Sequence, residues 1–167
     1  MSWKMPPEWA PHKQTWMGWP VNPDTIEFVG SKAVAYKAWS EVANTISRFE
    51  PVTMVCDDGE AAVARKYLND NVEVVERELG DSWMRDCGPT FVVNDTGELG
   101  AVDWTFNGWG GRTFPHRSAD ALIARFVAEK TGAVHLPSKL VNEGGGIHVD
   151  GEGTLLLTET VQLNRNR

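Results

Sequence analysis

Apolar residues fall along this chain in two rhythms. Between residues 31 and 49 they keep helical spacing, at Val34, Ala38, Val42, Ile46 and Phe49, with Ala35 and Trp39 beside them. That spacing predicts an amphipathic helix, stopped by Pro51. Val52–Cys56 is a short run rich in β-branched residues and predicts a strand, with Cys56 as a small core residue. Upstream, residues 6–13 are Pro-rich and expected to be extended. Residues 16–19 predict a short strand closed by Pro20, and Val21-Asn22-Pro23-Asp24 has the composition of a turn. A second helix is expected over 60–68, with Asp57 or Asp58 as its N-cap and Val63, Ala64, Tyr67 and Leu68 on one side. Asn69 to Asn71 break it, and residues 72–75 form the next strand.

The second half repeats the alternation. Residues 90–93 and 98–103 predict a hairpin around Asn94-Asp95-Thr96-Gly97, followed by a Gly- and aromatic-rich loop over 106–117. A helix over 118–130 carries Ala119, Leu122, Ile123, Phe126 and Val127, and Gly132 ends it. A strand over 133–136 precedes a second hairpin, 147–150 with 154–158, turning at Asp150-Gly151. Its Leu155-Leu156-Leu157 run is apolar on both faces and is expected to be a central strand. Helices and strands alternate, so the class is α/β. Each hairpin follows a helix and a short strand, and each is preceded by a loop with an acidic residue, Asp86 or Glu143. The pattern predicts an internal structural repeat.

Composition narrows the partners. At 41% hydrophobic and 23% charged, a chain of 167 residues is globular, with enough material for one core. A formal net charge of -7 argues against nucleic acid and mildly favours a cationic ligand. Cys56 and Cys87 make no disulfide framework. No apolar run is long enough to span a membrane and no signal-peptide core is present, so the expected location is cytoplasmic. The tryptophans, 8 in all, often neighbour Gly or Pro and wall either a core or a pocket.

The richest chemistry lies in Gly80-Asp81-Ser82-Trp83-Met84-Arg85-Asp86-Cys87-Gly88-Pro89, an expected irregular segment entering the strand at 90–93. A charged aromatic loop on a core strand is a common binding site. It is equally often a surface turn whose Arg pairs with an Asp. His148 and Asp150 lie at i, i+2 on one strand face, the arrangement of a general acid/base pair. His148, His135 and His116 fit no compact zinc motif, and no metal or cofactor is expected.

Trp-Met-Arg-Asp-Cys-Gly-Pro-Thr-Phe at 83–91 does not stand alone. Phe106-Asn107-Gly108-Trp109-Gly110-Gly111, the Glu143 to Thr154 segment, Pro7-Glu8-Trp9 and Trp16-Met17-Gly18-Trp19-Pro20 accompany it. Together they resemble the agmatine deiminase family, part of the guanidine-modifying superfamily that also holds the bacterial peptidylarginine deiminases. The resemblance implies a pentein-like α/β propeller of repeated strand-helix-hairpin modules around a central site. It also implies conversion of agmatine and water to N-carbamoylputrescine and ammonia through a covalent Cys-amidino intermediate, in putrescine formation. Asp86 and Glu143 match the acidic residues that orient the guanidinium, and Trp83 matches an aromatic that lines the substrate channel. The chemistry agrees, because a planar cation takes paired N–H···O contacts from carboxylates and stacks on an aromatic face. Arg85 reads as a structural partner for a carboxylate or carbonyl.

Cys87 is not expected to be the nucleophile. In an extended segment it points away from Asp86. Were the two close, the carboxylate would suppress the thiolate. His148 and Asp150 read as structural, because the family's catalytic His and Cys come later than Arg167. The chain is therefore expected to be a single incomplete catalytic domain over 1–167, the N-terminal part of a longer enzyme. Such a part is expected to self-associate or to be complemented by a C-terminal segment. Two other readings stand beside this one: a non-catalytic module for guanidinium or amine ligands, and a deiminase for peptidyl-arginine.

Overall fold

A computed structural model describes residues 2–111 and 119–167. In chain order the elements are β1 (Trp3–Lys4), β2 (Thr15–Gly18), α1 (Pro23–Val29), α2 (Lys32–Ile46), β3 (Val52–Cys56), α3 (Ala61–Ala64) and β4 (Val72–Glu76). There follow α4 (Met84–Cys87), β5 (Thr90–Asn94), β6 (Leu99–Thr105), a 3-10 turn (Asp120–Leu122), α5 (Ile123–Thr131) and β7 (Val134–Val141). A second 3-10 turn (Gly144–Gly146), β8 (Ile147–Val149), β9 (Leu155–Leu157) and α6 (Glu159–Gln162) complete the order. The α/β class is as expected. The chain divides into two compact units, Pro11–Met84 and Met1–Ala10 with Arg85–Arg167.

In Pro11–Met84, β2, β3 and β4 form a parallel sheet in that order. Parallel neighbours need crossovers, which α1 with α2 and the α3 region supply. β3 is central and buried at every position, as an apolar run with a strand on each side should be. Helix α2 forms where the spacing placed it, capped by the Ser31 hydroxyl, which accepts from Val34 N. Its buried face is Ala35, Tyr36, Ser40 and Ala43, whereas Val34 and Val42 are exposed and so is Phe49 beyond its end. Small side chains on the inner face let a helix lie close to its sheet, and Tyr36 stacks on Trp19 at 4.8 Å.

Two local readings are corrected in this unit. The expected turn at 21–24 is the start of α1. Asn22 Oδ1 accepts from Asp24 N at 2.9 Å, with Pro23 at the first helical position, which is the helix-start signature. The helix expected over 60–68 is a single turn, α3. Asp57 does not cap it but accepts from Leu79 N at 3.1 Å.

In the other unit, β1, β5, β6 and β7 form a mixed sheet in that order, with β7 parallel to β6. The β5–β6 hairpin turns where expected, with Asn94 Oδ1 accepting from Thr96 N and Glu98 N. Helix α5 ends at Gly132 in the left-handed conformation, φ 68°. The expected start of that helix, Ser118, lies outside the described residues, as does the second half of the 106–117 loop. β8 and β9 pair antiparallel, as a two-stranded sheet. All three leucines of β9 are exposed, so the expectation of a central strand is wrong. An apolar run becomes central only when strands flank it, and among the described residues β9 pairs with β8 alone.

Candidate functional site

Both acidic candidates lie between a strand and a hairpin, Asp86 within a helical turn and Glu143 just before one. β4 leads to α4, where Asp86 is the third residue, and Gly88-Pro89 ends the turn before β5. β7 leads through Asn142 to Glu143, whose extended backbone opens the Gly144–Gly146 turn before β8. The segment expected to be irregular is thus helical at Asp86, and the extended geometry considered for Asp86 and Cys87 does not occur. Cys87 is buried. Cys56 is buried as well, and burial pushes its thiol up to about 12.

The two turns meet. Asp86 Oδ1 accepts from Gly145 N at 3.1 Å. A Cβ on Gly144 would run into the Arg85 carbonyl oxygen, and one on Gly145 into Asp86 Oδ1. The glycines after Glu143 are therefore a steric requirement of this approach. Asp86 Oδ2 accepts from Trp109 Nε1 at 3.2 Å. Trp109 is delivered by a tight loop in which it and Gly108, Gly110 and Gly111 all have positive φ, Trp109 at 56°. A tryptophan there costs about 1 kcal/mol or more. The Asn107 side chain accepts from Gly110 N at 2.8 Å, and Phe106 packs edge-on to the indole at 5.2 Å.

Glu143 meets a cation. Arg167 Nη1 donates to Glu143 Oε2 at 2.6 Å, with side chains only 10% and 6% exposed. The segment carrying Arg167 is fastened twice more. Gln162 donates to the buried Asn142 side chain at 2.5 Å, and Asn107 Nδ2 donates to Asn166 O at 2.5 Å. Burial pushes the Asp86 carboxyl up, against the Trp109 and Gly145 donors and the positive charges of Arg85 and Arg167. Burial also pushes Glu143 up; Arg167 opposes the shift and the Asp86 charge adds to it. The result is a sheltered pair of carboxylates that feel each other, with one guanidinium of the protein acting on both.

The other candidates make contacts of their own. Arg85 makes a two-point ion pair with Glu8, Nη1 and Nη2 each at 2.9 Å, as a structural arginine should. Asp81 belongs to the Pro11–Met84 unit, where both its oxygens accept from Thr25 Oγ1 at 2.9 and 3.0 Å. Trp83 is in that unit too, edge-on to Trp39 at 6.0 Å. Asp150 holds the β8–β9 turn, accepting from Glu152 N at 2.7 Å and Thr154 N at 3.0 Å. The Thr154 side chain first, and then the backbone donors, hold its carboxyl down at about 2. His148 is exposed on β8. His135 Nε2 lies 2.8 Å from Asp103 Oδ2, and His116 is outside the described residues. An open pocket of about 360 Å³ is lined by Glu8, Arg85, Gly144, Gly145, Ile147 and His148; it borders the glycine turn, and neither carboxylate lines it. Among the described residues no group of three or more His, Cys, Asp or Glu could hold a metal ion, and no helix is long and apolar enough to cross a membrane.

Trp109 and Arg167, the side chains that contact the two carboxylates, are positions the sequence reading did not single out. Trp109 lies in the Phe-Asn-Gly-Trp-Gly-Gly loop, which the sequence analysis quotes, and Arg167 in the Asn-Arg-Asn-Arg run at 164–167, which it does not use. Neither motif says which carboxylate it serves.

Residues 4–167 match the family model described as Porphyromonas-type peptidyl-arginine deiminase. A Streptomyces coelicolor protein is 56% identical over 167 residues, all of this chain and 49% of its own length. The agmatine deiminase of Pseudomonas aeruginosa (strain LESB58) is 46% identical over 169 residues, 98% of this chain and 45% of its own. A solved agmatine deiminase of Enterococcus faecalis superposes with a TM-score of 0.92 at 38% identity, covering 99% of this chain and 46% of that one. The chain spans about half the length of the curated relatives it matches.

Proposed function

The chain belongs to the Porphyromonas-type peptidyl-arginine deiminase family, and from that premise we propose that Asp86 and Glu143 bind the guanidinium of agmatine for its hydrolysis to N-carbamoylputrescine and ammonia. The carrying observation is the Gly145 N to Asp86 hydrogen bond, which ties the turn of one carboxylate to the turn that follows the buried Glu143. The names of the Pseudomonas and Enterococcus relatives support agmatine as the guanidine.

In this reading a thiolate attacks the guanidinium carbon, ammonia leaves with a proton, and water releases the carbamoyl product. The two carboxylates hold the planar cation in line for that attack and offset its charge. The thiolate and the general acid are assigned to no residue of this chain, since Cys87 is packed and Asp150 serves a turn. The recurrence of strand, acidic helical turn and hairpin is read as the module of an α/β propeller, of which 1–167 is part of one catalytic domain. The product is an amine precursor that a decarbamoylating reaction would turn into putrescine.

Titration calorimetry of the chain with agmatine, arginine and putrescine tests the assignment. Agmatine should bind most tightly, because arginine brings a third carboxylate toward two others and putrescine lacks the planar fork. Equal, feeble binding of all three removes the site. The family description itself favours a second reading, peptidyl-arginine, and tighter binding of an Nα-acyl-arginine amide than of agmatine would establish it.

A further inference from the structure

The proposed function leaves unexplained a second guanidinium already at the site. Glu143 is almost wholly buried, and a buried carboxylate favours its neutral form unless a cation is beside it. Among the described residues, the charged groups that bear on Glu143 are Arg167 and Asp86, and those that bear on Asp86 are Arg85 and Arg167. Arg85 is already committed to Glu8 through two bonds. Arg167 is the cation common to both carboxylates.

The surroundings of Arg167 fix it in place. Its own N–H donates to Asn164 O at 3.0 Å, and Asn166 N donates to Asn164 Oδ1 at 3.0 Å. The preceding carbonyl, Asn166 O, receives Asn107 Nδ2, and Asn107 is also the residue whose side chain braces the Trp109 loop. The loop that aims an indole N–H at Asp86 and the segment that aims a guanidinium at Glu143 are thus joined at Asn107. Arg167 engages one carboxylate oxygen, Oε2, in contrast to the two-point Arg85–Glu8 pair, which leaves Oε1 to take a donor from a ligand.

We propose that Arg167 is a positioning residue of the guanidinium site: its buried charge-assisted hydrogen bond fixes the Glu143 carboxylate and holds it in the anionic form that a cationic ligand needs. The inference rests on the reading of Asp86 and Glu143 as that site. Arg167 does not compete with the ligand, because it spends one oxygen of Glu143 and supplies the charge that lets the other stay anionic. Breaking a buried pair from one side leaves the remaining charge uncompensated, so loss of Arg167 drives Glu143 toward its protonated form.

The test combines calorimetry with agmatine and a carboxyl-carbon NMR titration of Glu143, on the chain and on R167Q and R167K. Circular dichroism checks that each variant is folded. In R167Q the Glu143 titration should move to higher pH, and agmatine affinity measured on the acid side of that titration should fall about tenfold, the equivalent of one pKa unit. R167K retains a cation and should stay within about threefold of the parent. If R167Q does not fold, R167K decides, and a tenfold loss in a folded R167K overturns the proposal. Unchanged or tighter agmatine binding in R167Q overturns it too, and would make Arg167 an occupant that the ligand displaces. A Glu143 titration that does not move in R167Q overturns it whatever agmatine does. A parent chain that binds no agmatine, while Glu143 still titrates higher in R167Q, instead sinks the agmatine reading and leaves the role of Arg167 intact.

Discussion

Asp86 and Glu143 occupy the same place in two successive strand, turn and hairpin runs, yet they are held by opposite means. Asp86 accepts from two neutral donors, an indole N–H and a backbone N–H. Glu143 meets a full positive charge. Neutral donors orient a carboxylate without cancelling its charge, and their contribution is nearly insensitive to salt and pH. A guanidinium stabilises the charge strongly but leaves the geometry dependent on one side chain. The pair therefore divides two tasks. One carboxylate is held rigidly and keeps its charge available, while the other is kept ionised in a place where burial alone would neutralise it.

The largest effect is expected where the two turns touch. Gly144→Ala puts a Cβ against the Arg85 carbonyl, which is backbone and cannot swing aside. Overpacking of this kind costs about 3 kcal/mol, so the variant should melt well below the parent and bind no agmatine. A melting temperature within a few degrees of the parent would show that the turns are not locked together.

Asp86→Asn comes next. The amide keeps the shape and its oxygen still accepts, but the charge-assisted contacts to a ligand are gone. Agmatine affinity should fall by about ten- to a hundredfold, from the roughly 1.5–3 kcal/mol assigned to hydrogen bonds on charged groups. Calorimetry on a normally folded variant checks it, and a loss under threefold would mean that Glu143 alone carries the cation.

The pH response should run in two directions. Both carboxyls titrate above their ordinary values because burial penalises the charged form. A raised folded value means that the folded chain holds more protons. The stability that these two groups contribute to the unliganded protein is therefore fully present below the unfolded carboxylate range and is lost as pH rises through the folded values. Ligand binding needs the charges, so agmatine affinity should instead weaken as pH falls through those same values. Parallel melts and titrations on acidification should diverge; affinity that stays flat into the ordinary carboxylate range would argue against a charged pair at the site.

Trp109→Phe is the mildest change. It keeps the edge contact with Phe106 and deletes the donor to Asp86, for a stability loss of about 1 kcal/mol. The Asp86 carboxyl should titrate still higher, and agmatine binding should drop a few-fold with little change in its salt dependence. If the comparison between neutral and charged support is right, R167Q should alter that salt dependence and Trp109→Phe should not. Equal salt slopes in the two variants would erase the distinction.

Local pattern alone determined where most elements lie. The strand at Val52–Cys56, the body of α2, the β5–β6 hairpin and the Gly132 stop follow from spacing, β-branching and turn chemistry, which act over a few residues. The two acidic positions were legible for the same reason, each standing between a strand and a hairpin. Tertiary structure decided the rest. It turned the inner face of α2 toward Ala35, Tyr36 and Ala43, because only the neighbouring sheet says which side of a helix is inside. It left Leu155-Leu156-Leu157 exposed while burying Val52–Cys56, because an apolar run has no face until strands flank it. It chose Trp109 for Asp86 and Arg167 for Glu143 across 23 and 24 residues. Over such distances periodicity carries no information, and only chain packing brings a donor to its acceptor.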